Sequence, residues 1–83
     1  MAERWLRCEI RKGMFSDERV VVIRVSTGES ASFFVPQEWV MGSEGQEGQV
    51  KVRAFKEDSR AWAIVPNESQ TVLAVDESQF VGA

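Results

Sequence analysis

Apolar and polar residues alternate with a period of two along most of this chain, the pattern of half-buried β-strands. Six segments carry it: WLRCEI, RVVVIRV, ASFFVP, QVKVRAF, RAWAIVP and TVLAV. In the first, Leu6, Cys8 and Ile10 share one face, while Trp5, Arg7, Glu9 and Arg11 share the other. In the second, Val20 to Val25 is apolar almost throughout, which suits a central strand covered on both faces or one passing between two sheets. Phe15 to Glu18 reads as the connection between these two strands. In Thr27-Gly28-Glu29-Ser30 the glycine takes the first central position of a two-residue type II′ turn. That turn would set Ile23 opposite Phe34 and Val22 opposite Val35. The third strand stops at Pro36, which has no N–H to give to a ladder.

A second meander follows. Asp58-Ser59 reads as a two-residue turn that faces Val52 with Val65, Ala54 with Ala63, Arg53 with Ile64 and Phe55 with Trp62. Pro66 to Ser69 turns the chain into the last strand, Thr71 to Val75. After each meander comes a stretch with the marks of a single helical turn. Pro36 to Gly42 has Pro at N1 and Gly at its exit. Asp76 to Gly82 has a capping-box spacing from Asp76 to Gln79. Both end in an apolar pair, Val40-Met41 and Phe80-Val81, expected to plug the open ends of a small barrel. The glycine-rich stretch Gly42 to Gly48 reads as a mobile surface loop. Residues 20–38 also align with 50–68 at an offset of 30, matching Val20/Val50, Val35/Val65 and Pro36/Pro66 among others. Shared strand periodicity alone creates several such matches, and a true duplication is the less favoured alternative.

Composition narrows the class. At 83 residues and 43% apolar, the chain is expected to form one globular domain. No apolar run reaches the roughly 18 residues of a membrane span, and the charged N-terminus lacks the apolar stretch of a signal peptide. Cys8 is the sole cysteine, so no internal disulfide forms and a cytoplasmic location is expected. The net charge of −3 argues against sequence-blind nucleic-acid binding, which relies on Lys and Arg at the phosphates. It leaves room for a local basic face, because residues 1–24 hold six basic and four acidic side chains.

Chemistry is sparse. The chain has no histidine and no tyrosine. The acidic pairs Asp17/Glu18, Glu57/Asp58 and Asp76/Glu77 lie in turns or at a helix start, where carboxylates serve local hydrogen bonding. Cys8 sits mid-strand beside apolar neighbours and is read as a core residue, not a nucleophile. No serine has a base, and no glycine motif cradles phosphate. Neither an enzyme nor a metal or cofactor site is expected.

Three Trp and five Phe are many for a core this small. Trp5, beside Arg7 and Arg11 on the polar face of the first strand, is the aromatic expected to be exposed and the preferred partner-binding site, since Trp and Arg dominate docking hot spots. Lys51, Arg53, Phe55, Arg60 and Trp62 form the alternative, an aromatic and basic strip able to stack single-stranded bases. Against that strip stands the plainer reading, favoured on composition, in which Phe55, Trp62 and Ile64 simply belong to the core. The expected fold is all-β, a small antiparallel barrel of the SH3-like kind or two packed meanders of five to six strands. The expected function is non-catalytic docking of a protein partner or of a second copy. Nucleic-acid binding is the alternative.

Overall fold

A computed structural model describes residues 1–82. The protein is all-β, with strands β1 (Ala2–Lys12), β2 (Glu18–Arg24), β3 (Ser30–Pro36), β4 (Val40–Met41), β5 (Glu47–Glu57), β6 (Arg60–Ile64) and β7 (Val72–Val75). Two 3₁₀ turns, Gln37–Trp39 and Glu77–Gln79, follow β3 and β7. Six strands form one antiparallel sheet in the order β3-β2-β1-β5-β6-β7, with β4 laid along β5. The sheet curls into a half-barrel, and a main-chain bond of 2.9 Å from Ser26 N–H to the Ala74 carbonyl ties its two halves together.

Alternation puts one set of side chains inside the curl. Leu6, Cys8, Ile10, Val21, Ile23, Val35, Val50, Val52, Ala54, Ala61, Ala63, Val65, Val75 and Phe80 make a single buried cluster. Phe33, Val40 and Leu73 pack against its margin. Among the described residues no charged or polar one is buried, so removal of apolar surface from water holds the fold together with little competing desolvation.

The β5–β6 register is the one the alternation predicts, with Ala54 opposite Ala63 and Phe55 opposite Trp62. The β2–β3 register is not. Ile23 faces Ala31 and Val20 faces Phe34, a shift of three residues from the expected pairing. Gly28 is the last residue of a three-residue loop instead of the first of two. Val25 N–H bonds the Glu29 carbonyl and Gly28 N–H bonds the Val25 carbonyl, with Gly28 at φ 95°. A type I turn closed by a left-handed residue has this form, and it leaves Phe34 on the outside.

Four further readings are corrected. The two meanders correspond in register, but not at an offset of 30 residues. Ile10, Val21 and Phe33 occupy the places of Ala54, Ala63 and Leu73, so successive strands are offset by 44, 42 and 40. The symmetry centre is the Leu6–Val50 pair, flanked by Val40 on Val50 and by Phe80 on Leu6. The two apolar ends thus cover the central strand pair, not the barrel mouths; Phe80 is buried whereas Met41 is exposed. Pro36 is an N-cap residue instead of N1, and Asp76 makes no side-chain capping bond. Finally, the glycine-rich stretch is anchored. Gly45 N–H bonds the Ile10 carbonyl, Ile10 N–H bonds the Gln46 carbonyl, and Glu47 and Gly48 belong to β5.

Candidate functional site

The outer face of β1, β5 and β6 gathers residues that the sequence left in two separate groups. Trp5 is paired with Lys51 and Glu3 with Arg53 across β1 and β5. Arg53 faces Ile64, Phe55 faces Trp62 and Glu57 faces Arg60 across β5 and β6. Period-two alternation sends all of these away from the core. Lys51 Nζ lies 5.8 Å from the Trp5 ring centre and 5.9 Å from that of Trp39, within cation–π range of both. Trp39 reaches this place from the 3₁₀ turn before β4 and was not singled out in the sequence. Its signal was local, a large aromatic inside a polar helical turn.

Phe55 and Trp62 stack with centroids 6.3 Å apart and rings 12° from parallel. Together with Ile64 they stand outside the core cluster, which overturns the reading that assigned them to the core. The residues opposite the core in β5 and β6 are Arg53, Phe55, Trp62 and Ile64, because Val52, Ala54, Ala61 and Ala63 already fill the concave side. Trp5, Trp39 and Trp62 are each half-buried, so Trp5 is not the exposed aromatic expected; Phe15 and Phe34 are. The Trp62 indole N–H is buried and has no acceptor among the described residues. A groove of about 420 Å³ runs beside this face, lined by Trp39, Lys51, Arg53, Ile64 and Pro66 among others.

Most cations here already have partners. Lys51 lies 3.6 Å from a Glu3 carboxylate oxygen, and Arg53 donates to Gln70 Oε1 at 2.7 Å. Arg4 pairs with Glu77 at 2.8 Å and lays its guanidinium 4.1 Å over the Phe80 ring. The hydrogen bond from Arg4 holds the Glu77 carboxyl below its usual range. Arg7 donates to the Ser78 and Phe80 carbonyls at 2.8 and 3.4 Å, so it fastens the C-terminal turn onto β1. Arg11 pairs with Glu9 on its own strand. The structure therefore joins Trp5 to Lys51, Arg53, Phe55, Arg60 and Trp62, and directs Arg7 and Arg11 elsewhere.

Cys8 is buried, and burial pushes its thiol up to about 12. Among the described residues no group of His, Cys, Asp or Glu is placed to hold a metal ion, and no helix is long and apolar enough to cross a membrane. No family model, curated protein or solved structure matches this chain.

Proposed function

We propose that this protein is a non-catalytic docking module for a protein partner or a second copy, and that the outer β1–β5–β6 face is its contact surface. One observation carries the reading: Trp5 and Trp39 bracket Lys51, whose ammonium also lies 3.6 Å from Glu3, on a face where Arg53 is held by the Gln70 amide. Half-buried aromatics beside paired charges suit a protein interface, where rigid aromatic anchors carry the energy. In architecture we place the chain with small barrels of the SH3-like kind, on its curled sheet and single-turn 3₁₀ segments. We place it in the cytoplasm on its lone buried thiol.

Trp5→Ala tests this reading. Losing one such anchor removes about 2 kcal/mol, so capture of the partner, or self-association, should weaken about thirtyfold while the circular dichroism spectrum stays unchanged. Unaltered binding would remove the face from consideration. Nucleic-acid binding is the second reading, because Lys51, Arg53, Phe55, Arg60 and Trp62 do lie on one face with two further Trp. It requires salt-sensitive quenching by a short oligonucleotide that is lost with Trp62→Ala and Arg53→Ala. The net charge of −3 weighs against it.

A further inference from the structure

The two outer strands of the half-barrel, β3 and β7, occupy equivalent places, yet their free edges differ. Hydrogen-bonded pairs alternate along an antiparallel ladder. On β3 the bonds Val25 N–H to Glu29 and Gln37 N–H to Asp17 set the phase. Ala31, Phe33 and Val35 therefore bond toward β2. Ser30, Ser32 and Phe34 turn their N–H and carbonyl groups toward the open side. On β7 the bond from Val65 N–H to the Thr71 carbonyl sets the same phase, so Val72 and Ala74 face outward. There the Ala74 carbonyl is taken by Ser26 N–H. Phe34, the equivalent of Ala74, receives no such bond; a depression lined by Phe34, Val35, Pro36, Pro66, Asn67 and Glu68 separates it from the β6–β7 turn.

Apart from Pro36 at its end, the β3 edge also lacks the usual protection. Its seven residues, Ser30–Pro36, include no charge, although edge strands ordinarily carry Lys or inward charges that block pairing. Ser30, Ser32, Phe34 and Pro36 are exposed, Phe34 by 53%. The two depressions at the C-terminal end of β3 are lined by Asp17, Glu18, Glu38 and Glu68 and by no Lys or Arg. The nearby Arg19 is turned to Glu44 and the Ser16 carbonyl.

We propose that β3 is an acceptor edge for an extended peptide of another protein, added antiparallel as a further strand. Main-chain bonds to Ser30, Ser32 and Phe34 would supply affinity, and side chains of alternate residues would supply selectivity. An antiparallel strand starts beside Pro36, so its N-terminal residues meet the acidic depressions and should be Lys or Arg. An apolar residue then lies beside Phe34. A second copy is the poorer occupant. Pairing two β3 strands about Ser32 carries Glu29 of one copy into the acidic depression of the other. This surface meets the groove beside the Trp5 face only at Pro66 and Asn67 and includes no Trp, so either one can fail alone.

The test is selection from a random linear-peptide display library on the whole protein, with Ser32→Pro and Phe34→Lys as counter-targets. Ser32 N–H is not used in the β2–β3 ladder, so Pro removes a donor from the open side only. Phe34→Lys leaves every backbone group in place and repels a basic strand. Enriched peptides should read as alternating strands with Lys or Arg at the N-terminal side. They should perturb the amide signals of Ser30, Ser32 and Phe34, and bind each variant at least about tenfold more weakly. Trp5→Ala should leave them unaffected. Failure to enrich, acidic or patternless peptides, or equal binding to both folded variants would overturn the proposal. So would a concentration-dependent dimer abolished by Ser32→Pro, which would make a second copy the occupant.

Discussion

Gly48 and Ile10 show how much of the packing hangs on single atoms. A Cβ at Gly48 would lie 2.2 Å from Ile10 Cδ1 and 2.4 Å from the Met41 carbonyl oxygen. Neither neighbour can retreat, since Ile10 is fully buried and Met41 lies in the β4–β5 pair. Gly48→Ala should therefore cost about 2 kcal/mol or more by overpacking, read as a lower urea midpoint at unchanged m-value. Gly45→Ala meets no atom within 4 Å, and its cost should come from its left-handed φ of 80° alone, about 1 kcal/mol. This contrast was illegible in the sequence, where the glycines looked like one flexible run; the contact that distinguishes them comes from a strand far away in the chain. Cys8 was legible, because it alternates with Leu6 and Ile10. Its raised pKa makes a pH prediction with a definite sign. A thiol neutral up to about 12 when folded, against an ordinary value of 9.0, binds more protons in the native state across that interval. Its contribution is full below pH 9 and is lost progressively toward pH 12. Cys8→Ala should flatten that part of the alkaline stability profile, at a cost of about 1 to 2 kcal/mol near neutrality from lost packing. Thiol labelling of the native protein should be far slower than in denaturant.

Elements differ in how openly they declare their register, and the two hairpins show why. In β5–β6 the alternation on both sides of Asp58-Ser59 admits one pairing that keeps alanines and valines on one face, and a slip by one residue would invert it. In β2–β3 the second strand is apolar on both faces, so periodicity selects nothing and the turn decides. A glycine near the middle of Ser26 to Glu29 fits both a two-residue and a three-residue loop. Only the hydrogen bonds distinguish them. The β5–β6 turn also holds residual strain, with Asp58 at φ 54° and Ser59 at φ 64°. Two left-handed residues in succession define a type I′ turn, for which Asn-Gly is the favoured pair. Replacing Asp58-Ser59 by Asn-Gly should stabilise the protein by about 1 kcal/mol, measured by urea unfolding. The same reasoning makes Gln70, at φ 50°, the next position where glycine should help.

At the scale of the molecule, two meanders of equivalent topology meet at a central strand pair that is covered unequally at its two ends. The row Val40–Val50–Leu6–Phe80 runs across the symmetry centre, and its two ends do equivalent jobs with different means. Val40 is half-buried and hangs from a two-residue strand. Phe80 is 1% exposed and is fastened by Arg4 over its ring, by Arg7 on two carbonyls and by Val81 N–H on the Trp5 carbonyl. The arginines that looked from the sequence like free partner-binding groups are thus half occupied with closing the fold. Strand alternation reveals which face a residue takes, but not what a turn dozens of residues later brings to it. Phe80→Ala should consequently cost about 3 to 5 kcal/mol, enough to threaten a fold this small. Val40→Ala should cost about 1 kcal/mol. Arg7→Ala should fall between, at about 1 to 2 kcal/mol, through two lost charge-assisted bonds. Thermal unfolding of the three variants should rank them in that order. If Val40→Ala proved as damaging as Phe80→Ala, the two covers would be equal in energy as well as in place, and the C-terminal clasp would not be the main brace of the central strand pair.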